Sequence, residues 1–490
     1  MTSSKSTKRA LISSTLAILM CVAMLIGTTF AWFTDTASTG VNKIVSGNLK
    51  VDIIGADSDS HIEKLNFTKA ATTDAEAGAE ILWEPGCRYL TEGFRIANKG
   101  NLALKWKAQV NTGTTAANEG NFDLLDVIDF YLVTKAADGT ETETALDQFT
   151  GNLKKTETSD VYYIKGVMQT TAGNDYQGLT LDGISITVVA TQDTVESDSF
   201  DNQYDKDAEY PILVTTGDEL QAIVSNATAP VNIVLTNSIT TNNFVIPEDK
   251  DVTLDLNGRT VTNAGSHTIL NKGHLTLTDS SADKSGQIIS LKGNTAALRN
   301  GDNAVCVVEG GTISRDGANG NTWHVVENFG KMTFNGGKVV LKNGNGFAIT
   351  NGWNYFDPGA STTHAVMEIN ALELDTDSSG IKNCRYGDLT VNDVTVTSTG
   401  YWALSNDYLG TAVINGGTLT SNSFKAVSNG AAMTVNGGTF DGTQGFFVQS
   451  YATSTVLNGG TFANMNVDAL SSYVGTGHTA QQSGTSVIIK

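Results

Sequence analysis

The first 210 residues alternate apolar and polar positions in short runs. Phe94 and Ile96 are separated by a polar residue, and Ile184, Ile186 and Val188 repeat the alternation further along. Gly and Asn separate the runs. A period of two is typical of strands that bury one face. Several such strands between turns predict a β-sandwich, jelly-roll-like, in which two sheets share a core.

The second half repeats a short unit of an apolar residue, Asn, two glycines, a polar residue and an apolar residue. Clear copies are V-E-G-G-T-I at 308–313, F-N-G-G-K-V at 334–339, I-N-G-G-T-L at 414–419, V-N-G-G-T-F at 435–440 and L-N-G-G-T-F at 457–462, with weaker copies at 256–261, 284–289, 369–374 and 391–396. Adjacent clear copies begin 26, 21 and 22 residues apart. This period suits one coil of a parallel β-helix and is too short for a propeller blade. Residues 211–490 are therefore predicted to be a right-handed parallel β-helix similar to that of pectate-lyase-like and adhesin proteins.

Asparagine recurs at a second position within these units. Asn at equivalent turns can stack, each amide bonding to the coils above and below, and glycine supplies the positive φ of a tight corner. We interpret these asparagines as structural. The predicted ladder comprises Asn271, Asn300, Asn328, Asn351, Asn383, Asn406 and Asn429.

A polar, acidic stretch at 197–210 indicates a linker or exposed turn before Pro211. After it, Thr216 can cap a short helix whose Leu220, Ile223 and Val224 lie on one face. Such a helix would cover the open first coil of a solenoid. The predicted domains are therefore 32–210, the sandwich, and 211–490, the β-helix with its capping helix.

The N-terminus has the pattern of a secretory signal peptide. Lys5, Lys8 and Arg9 precede an uncharged stretch that ends in the small residue Ala31. We predict that residues 1–31 are removed by cleavage between Ala31 and Trp32. An uncleaved membrane anchor is the alternative, since the stretch is long enough to span a bilayer.

Charge and cysteine content narrow the function classes. The 490-residue chain carries 31 Lys and Arg against 51 Asp and Glu, a net charge of −20. Nucleic-acid binders usually present a basic face, so a nucleic-acid partner is not expected. Cys87, Cys306 and Cys384 remain after the signal and lack metal-ligand spacing. Cys306 and Cys384 lie in apolar contexts, which favours buried free thiols.

Several segments of the N-terminal half occur in one order. They are T-T-F-A-W-F-T-D-T-A-S-T-G-V-N-K-I-V-S-G-N-L-K-V at 28–51, then Trp83, Pro85 and Gly86, then Phe94, Asn98 and Gly100, and finally the strands at 122–133 and 184–192. This order resembles the TasA/camelysin family of Gram-positive cell-surface and biofilm-matrix proteins, over residues 10 to 210.

The resemblance implies export through a dedicated signal peptidase and assembly into fibres, in which an N-terminal segment completes the sheet of the next subunit. Self-association is thus the first expected partnership. The segment could instead be the first strand of its own domain, and both interpretations stay open. The expected apolar anchors are Trp32, Phe33, Val41, Ile44, Val45 and Leu49.

The sequence offers little catalytic chemistry. None of its six histidines belongs to an H-E-x-x-H pair, so the metallopeptidase classification of some family members finds no support. A β-helix polysaccharide lyase or glycoside hydrolase would need clustered carboxylates on successive coils. No D-x-D-x-D-G loop is present, although acidic turns leave Ca²⁺ binding as an alternative. The candidates for a carboxylate site are Asp375, Asp377, Asp388, Asp393 and Asp407, with Arg385.

Aromatic residues concentrate in and near an inserted loop of the repeat. Aromatic side chains stack on sugar rings and anchor protein interfaces, whereas a loop can also pack them back onto the solenoid. We expect them to gather at one end of adjacent coils. The candidates for glycan or partner contact are Trp353, Tyr355, Phe356, Tyr401, Trp402 and Tyr408.

Together these patterns predict a secreted, non-enzymatic protein of the cell surface or biofilm matrix, without a cofactor. The sandwich would assemble, and the β-helix would present a binding surface to cell-surface or host glycans. A secreted β-helix lyase or hydrolase is the alternative.

Overall fold

The computed structural model describes residues 49–62, 65–68, 83–111, 114–115, 122–146, 149–182, 185–193, 209–316, 323–344, 346–353 and 363–490. The predicted signal peptide 1–31 and the cleavage site Ala31/Trp32 lie outside these residues. So do the predicted strand anchors Trp32, Phe33, Val41, Ile44 and Val45, and the aromatic candidates Tyr355 and Phe356. Leu49 is described, is exposed, and precedes the first described strand.

The N-terminal half consists of antiparallel sheets, as the alternation predicts. The larger sheet contains the strands Val51–Gly55, Phe67–Thr68, Arg88–Thr91, Phe94–Asn98, Ile128–Lys135, Glu141–Thr144 and Tyr162–Met168. A three-stranded sheet contains Leu104–Asn111, Thr150–Leu153 and Ser185–Gln192, and Thr114–Thr115 pairs with Leu181–Asp182. Short 3-10 helices lie at Leu124–Asp126 and Asn174–Tyr176.

Alternate residues of these strands form a common core. Phe94 and Ile96 from the larger sheet are fully buried with Leu104 and Trp106 from the smaller one. The Trp106 ring meets Phe149 edge-on, with centroids 5.1 Å apart. Each sheet therefore buries one of its faces against the other sheet, as in a β-sandwich.

The Trp-x-Pro-Gly turn belongs to a second, smaller core. Trp83 lies against Gly166, where an added Cβ would be 2.5 Å from the indole ring. Gly86 has a φ of +87° and donates from its N–H to the carbonyl of Met168. The turn thus holds the indole ring of Trp83 over Gly166, the one residue of strand Tyr162–Met168 that has no side chain.

The second half is a parallel β-solenoid, which confirms the prediction from the repeat. Its three sheets are called sheet 1, sheet 2 and sheet 3 in the order in which each coil visits them. Sheet 1 contains Ile212–Val214, Val231–Leu235, Asp251–Asp255, His274–Thr278, Val305–Val308, Lys331–Phe334, Ala365–Ile369, Gly387–Val391, Thr411–Ile414, Ala432–Val435 and Ser454–Leu457.

Sheet 2 contains Ile239–Thr241, Thr260–Asn263, Gln287–Ser290, Thr312–Asp316, Lys338–Lys342, Glu373–Thr376, Thr395–Ser398, Thr418–Ser421, Thr439–Asp441 and Gly460–Phe462. Sheet 3 contains Phe244–Ile246, Ile269–Asn271, Leu298–Asn300, Val326–Asn328, Phe347–Asn351, Ser379–Asn383, Leu404–Asn406, Lys425–Asn429 and Gln444–Val448. Inward apolar side chains of all three sheets form one continuous core.

The glycine pair of each repeat makes the corner between sheets 1 and 2. At Gly416 an added Cβ would lie 2.7 Å from the Asn392 carbonyl oxygen of the preceding coil. Gly417 has a φ of +99°, which strains any residue with a side chain. The first glycine therefore permits close stacking, and the second permits the turn.

Both ends of the solenoid are covered. Helix Gly217–Asn226 begins at Thr216, whose hydroxyl accepts a hydrogen bond from Glu219 N, and it buries Leu220 and Val224 on the first coil. This confirms the predicted capping helix. At the other end, Ser486–Ile489 pairs antiparallel with Gly460–Phe462, and Ala480–Ser483 extends this hairpin. Helix Val467–Leu470 and the 3-10 turn Ser471–Tyr473 precede the hairpin.

Polar contacts join the sandwich to the first coils. The buried Asn111 donates to the Thr236 carbonyl over 2.9 Å. Arg259 donates to the Ser185 hydroxyl over 3.3 Å, and burial lowers the pKa of this guanidinium. The three-stranded sheet is thus attached to the solenoid through specific hydrogen bonds.

Candidate functional site

The seven predicted ladder asparagines stack along the corner after sheet 3. They occupy equivalent register positions, and all are at most 1% exposed. Each of the first six donates from Nδ2 to Oδ1 of the next, over 2.7–2.9 Å. Each of these six amides also donates to a backbone carbonyl, as Asn383 does to Gly387 and Thr411. The ladder satisfies buried polar groups and is structural.

A second ladder, which the sequence analysis missed, follows the corner between sheets 1 and 2. Its members are the asparagines of the repeated Asn-Gly-Gly unit and their counterparts in weaker copies. Each donates backwards to the preceding coil over 2.7–2.9 Å, the reverse of the buried ladder. The signal was the repeat itself, since Asn precedes most glycine pairs. The members are Asn335, Asn370, Asn392, Asn415, Asn436 and Asn458.

The outer face of sheet 3 carries the most varied chemistry of the solenoid. Its central outward positions align from coil to coil because the register is unbroken. The row is apolar in the first coils, contains Arg299, Glu327 and Lys382 in the middle, and continues through two serines to Phe447. In order it reads Val245, Leu270, Arg299, Glu327, Thr350, Lys382, Ser405, Ser428 and Phe447.

An ion pair with a buried carboxylate lies in this row. Arg299 Nη1 lies 3.0 Å from Glu327 Oε2, and Trp323 Nε1 donates to Glu327 Oε1 over 2.9 Å. Burial raises the pKa of the Glu327 carboxyl, and Arg299 opposes that shift. The carboxylate is covered and partnered, so it is not presented to a ligand.

The predicted aromatic contacts divide between two margins of sheet 3. Tyr401 and Trp402 come just before strand Leu404–Asn406, whereas Tyr408 comes just after it. Tyr401 is 53% exposed and Tyr408 44% exposed. Of the described candidates, Tyr401 and Trp402 therefore lie at one margin of sheet 3 and Tyr408 at the other, because a short strand separates them.

Trp353 follows the strand Phe347–Asn351 and packs onto the solenoid. Its ring lies 4.4 Å from that of Phe329, and its backbone exchanges hydrogen bonds with Arg385. Its indole Nε1 is buried without a hydrogen-bond partner. Trp353 is thus a packing residue, the alternative that the sequence left open.

A groove lies between the two margins, over the later coils of sheet 3. Trp402 and Phe347 border it on the side where strands begin, and Tyr451 borders it where they end. Its floor includes Ser405 and Ser428 of the central row. The lining comprises Phe347, Lys382, Trp402, Ser405, Asn406, Asp407, Ser428, Gln449 and Tyr451.

The candidate carboxylates of a lyase or hydrolase are not brought together. Asp375 pairs with Lys342 on sheet 2, Asp388 with His364 on sheet 1, and Asp407 with Lys382 after sheet 3. Asp377 accepts from the backbone of Asn343, and Asp393 lies in the corner after sheet 1. Arg385 stacks on Tyr386, 4.7 Å from the ring centroid. Asp375, Asp388 and Asp407 fall on different faces because one coil visits all three sheets.

The structure also limits metal binding and the reactivity of the cysteine thiols. Within the described ranges, no three His, Cys, Asp or Glu residues are grouped so as to hold a metal ion. Burial lowers the pKa of His267 and of His324 to about 4. Cys306 and Cys384 are buried free thiols, as predicted, and burial raises the pKa of each to about 12.

Neither helix in the described part of the chain has the length and apolar character to cross a bilayer. Comparison with known proteins finds no family model and no curated protein that matches this chain.

Proposed function

We propose that this chain is a secreted, non-enzymatic protein of the cell surface or extracellular matrix. Its sandwich assembles or anchors, and its solenoid presents a glycan-binding surface. One observation carries the proposal: the outer face of sheet 3 places an aromatic-bordered, polar-floored groove on a continuous stack of coils. Small-ligand sites combine aromatic and apolar side chains with a few placed polar groups that fix the orientation of the ligand.

The distribution of carboxylates supports binding rather than glycoside cleavage. Glycoside hydrolases place two carboxyl groups within roughly 10 Å of one scissile bond. Here Asp375, Asp388 and Asp407 lie on three different faces of the solenoid, each beside a Lys or His. An enzyme of that kind would require pairs of acids on one face.

Open sheet edges support the assembly half of the proposal. Strand Ser185–Gln192 pairs on one side with Leu104–Asn111 and, among the described residues, with nothing on the other. An eight-residue edge of unpaired backbone groups can accept an added strand. Val51 itself pairs with Asn98 of its own chain, so a donated segment would end before that residue.

Negative-stain electron microscopy of the protein beginning at Trp32 tests assembly. We expect regular filaments as the concentration rises, with or without Ca²⁺, and no filaments after deletion of residues 32–47. The deletion variant serves as a valid comparison if its circular dichroism and thermal midpoint match those of the parent. Single particles at every concentration, or filaments in the deletion variant, would contradict the donor-strand proposal.

Export is tested separately by the mass of the protein recovered from culture medium. Cleavage between Ala31 and Trp32 predicts a mature chain that begins at Trp32. Recovery only in the membrane fraction, with residues 1–31 retained, would favour the anchor instead.

A further inference from the structure

The groove of sheet 3 is small. It encloses about 130 Å³, whereas pockets that bury drug-sized ligands measure ~300–1,000 Å³. The groove extends across sheet 3 from the beginning to the end of its strands. This distance is ~10 Å for the three-residue strand Leu404–Asn406. A groove of this size accepts one ring of a larger molecule and leaves the rest outside.

Two aromatic walls are held in place by their neighbours. Tyr451, 54% exposed, lies over Gly430, where an added Cβ would be 2.7 Å from its ring. Trp402 meets Phe424 edge-on, with centroids 5.2 Å apart. Both rings are therefore positioned before a ligand arrives, which lowers the entropic cost of binding.

The floor between these walls is neutral and polar. Ser405 and Ser428 are register partners in the central row, and Gln449 Nε2 donates to the Ser428 hydroxyl over 3.1 Å. Hydroxyl and amide groups both donate and accept hydrogen bonds, as sugar hydroxyls do. The small side chains of Ser405 and Ser428 leave the space between the aromatic walls open.

The two charges in the lining compensate each other. Lys382 Nζ lies 3.3 Å from Asp407 Oδ2, and the other carboxylate oxygen accepts from the Tyr408 backbone over 2.8 Å. Lys382 also lies 5.2 Å from the centroid of the Phe347 ring. An anionic ligand would compete with Asp407 for the ammonium, in a chain that is already strongly acidic. The groove thus favours an uncharged ligand.

We infer that this groove is a subsite for a single neutral sugar ring of a glycan, clasped between Trp402 and Tyr451. The inference rests on the proposed glycan-binding function. It adds where on the solenoid the glycan binds, that one sugar ring enters the groove, and that this ring is uncharged. It assigns roles to Tyr451 and Gln449, which lie in and beside a turn nearly 50 residues beyond Trp402.

Saturation-transfer NMR on the full mature chain tests the subsite. The probes are the methyl glycosides of glucose, galactose, mannose and N-acetylglucosamine, with galacturonic acid as the anionic comparison. We expect transfer to at least one neutral glycoside and weaker transfer to galacturonic acid. Tyr451→Ala should weaken binding about tenfold, which corresponds to ~1.4 kcal/mol.

Two further variants separate loss of the wall from loss of the fold. Tyr451→Phe keeps the ring and is expected to retain binding, whereas Ser405→Trp fills the groove and is expected to abolish it. All three variants should keep the thermal midpoint of the parent. Absence of transfer in the parent, unchanged transfer in Tyr451→Ala and Ser405→Trp, or preference for galacturonic acid would overturn the inference.

Co-sedimentation with insoluble polysaccharides distinguishes this inference from the proposed function. If the parent and Ser405→Trp are both retained on cellulose, chitin or cell walls, the subsite is wrong and glycan binding stands. If neither is retained and the parent shows no transfer, both are wrong. If the parent is retained and Ser405→Trp is not, the result supports both the subsite and the glycan-binding function.

Discussion

At the scale of single residues, burial decides what an asparagine contributes. The ladder through Asn383 is inside the solenoid, so every unmade hydrogen bond there would leave a desolvated polar group. The ladder through Asn415 is at the surface, where water can replace a lost partner. The same residue type, repeated at the same period, therefore makes unequal contributions to stability.

Replacing one rung of each ladder measures this difference. Asn383→Ala removes donors to Asn406, Gly387 and Thr411 and the acceptor for Asn351, and should lower the free energy of unfolding by about 3 kcal/mol. Asn415→Ala, the matched control, should cost less than about 1 kcal/mol. Urea denaturation followed by circular dichroism provides both values. Equal losses in the two variants would contradict this account.

The groove shows how far residue-level prediction reached. Trp402 was a candidate because it is aromatic and near a turn, but Tyr451 and Gln449 were not, because nothing in their local sequence sets them apart. They reach the groove only because Gln444–Val448 lies two strands from Leu404–Asn406 in sheet 3. The environment of Trp353 is likewise set from a distance, since its ring packs on Phe329, 24 residues earlier.

At the scale of elements, the ends of the solenoid limit its growth. A parallel sheet that ends without a partner exposes a row of backbone donors and acceptors and invites another chain. Here the hairpin strand Ser486–Ile489 covers Gly460–Phe462, and Val487 and Ile489 join the core. The Phe440 and Phe462 rings stack 4.9 Å apart beneath this cover.

Truncation after residue 464 tests the role of this C-terminal cover. We expect the shortened chain to aggregate, because the edge of sheet 2 and the Phe462 ring lose their cover. Light scattering after size-exclusion chromatography and thioflavin T fluorescence measure this outcome. Gln481→Ala, an exposed change within the intact hairpin, is the control. A truncated chain that stays monomeric would show that the hairpin is dispensable.

At the scale of the whole molecule, net charge opposes self-association. The chain has a net charge of −20 and a sequence pI of about 4.6. Like charges on neighbouring subunits repel over a distance that salt shortens. Assembly of the kind proposed therefore has to overcome an electrostatic barrier near neutral pH.

Filament formation should consequently depend on pH and salt. Lowering the pH from about 7.5 to about 5 brings carboxylates towards their ordinary pKa range, reduces the negative charge and should lower the concentration at which filaments appear. Raising NaCl from about 20 mM to about 300 mM should act in the same direction by screening. Sedimentation of assembled protein measures both effects. A threshold that rises under either change would show that attractive ion pairs hold the subunits together.

The sequence by itself determined the class of fold, the period of the coil, the capping helix and the positions of the buried asparagines. Each of these is a local regularity, because a solenoid repeats the same nearest-neighbour contacts and every strand alternates its faces. Only the tertiary structure decided which side chains meet. One coil passes through three sheets, so Asp375, Asp388 and Asp407 separate onto different faces, whereas Phe347 and Tyr451, more than 100 residues apart, border one groove. A site that needs side chains from several coils therefore depends on how the coils stack. No short stretch of the chain encodes that stacking.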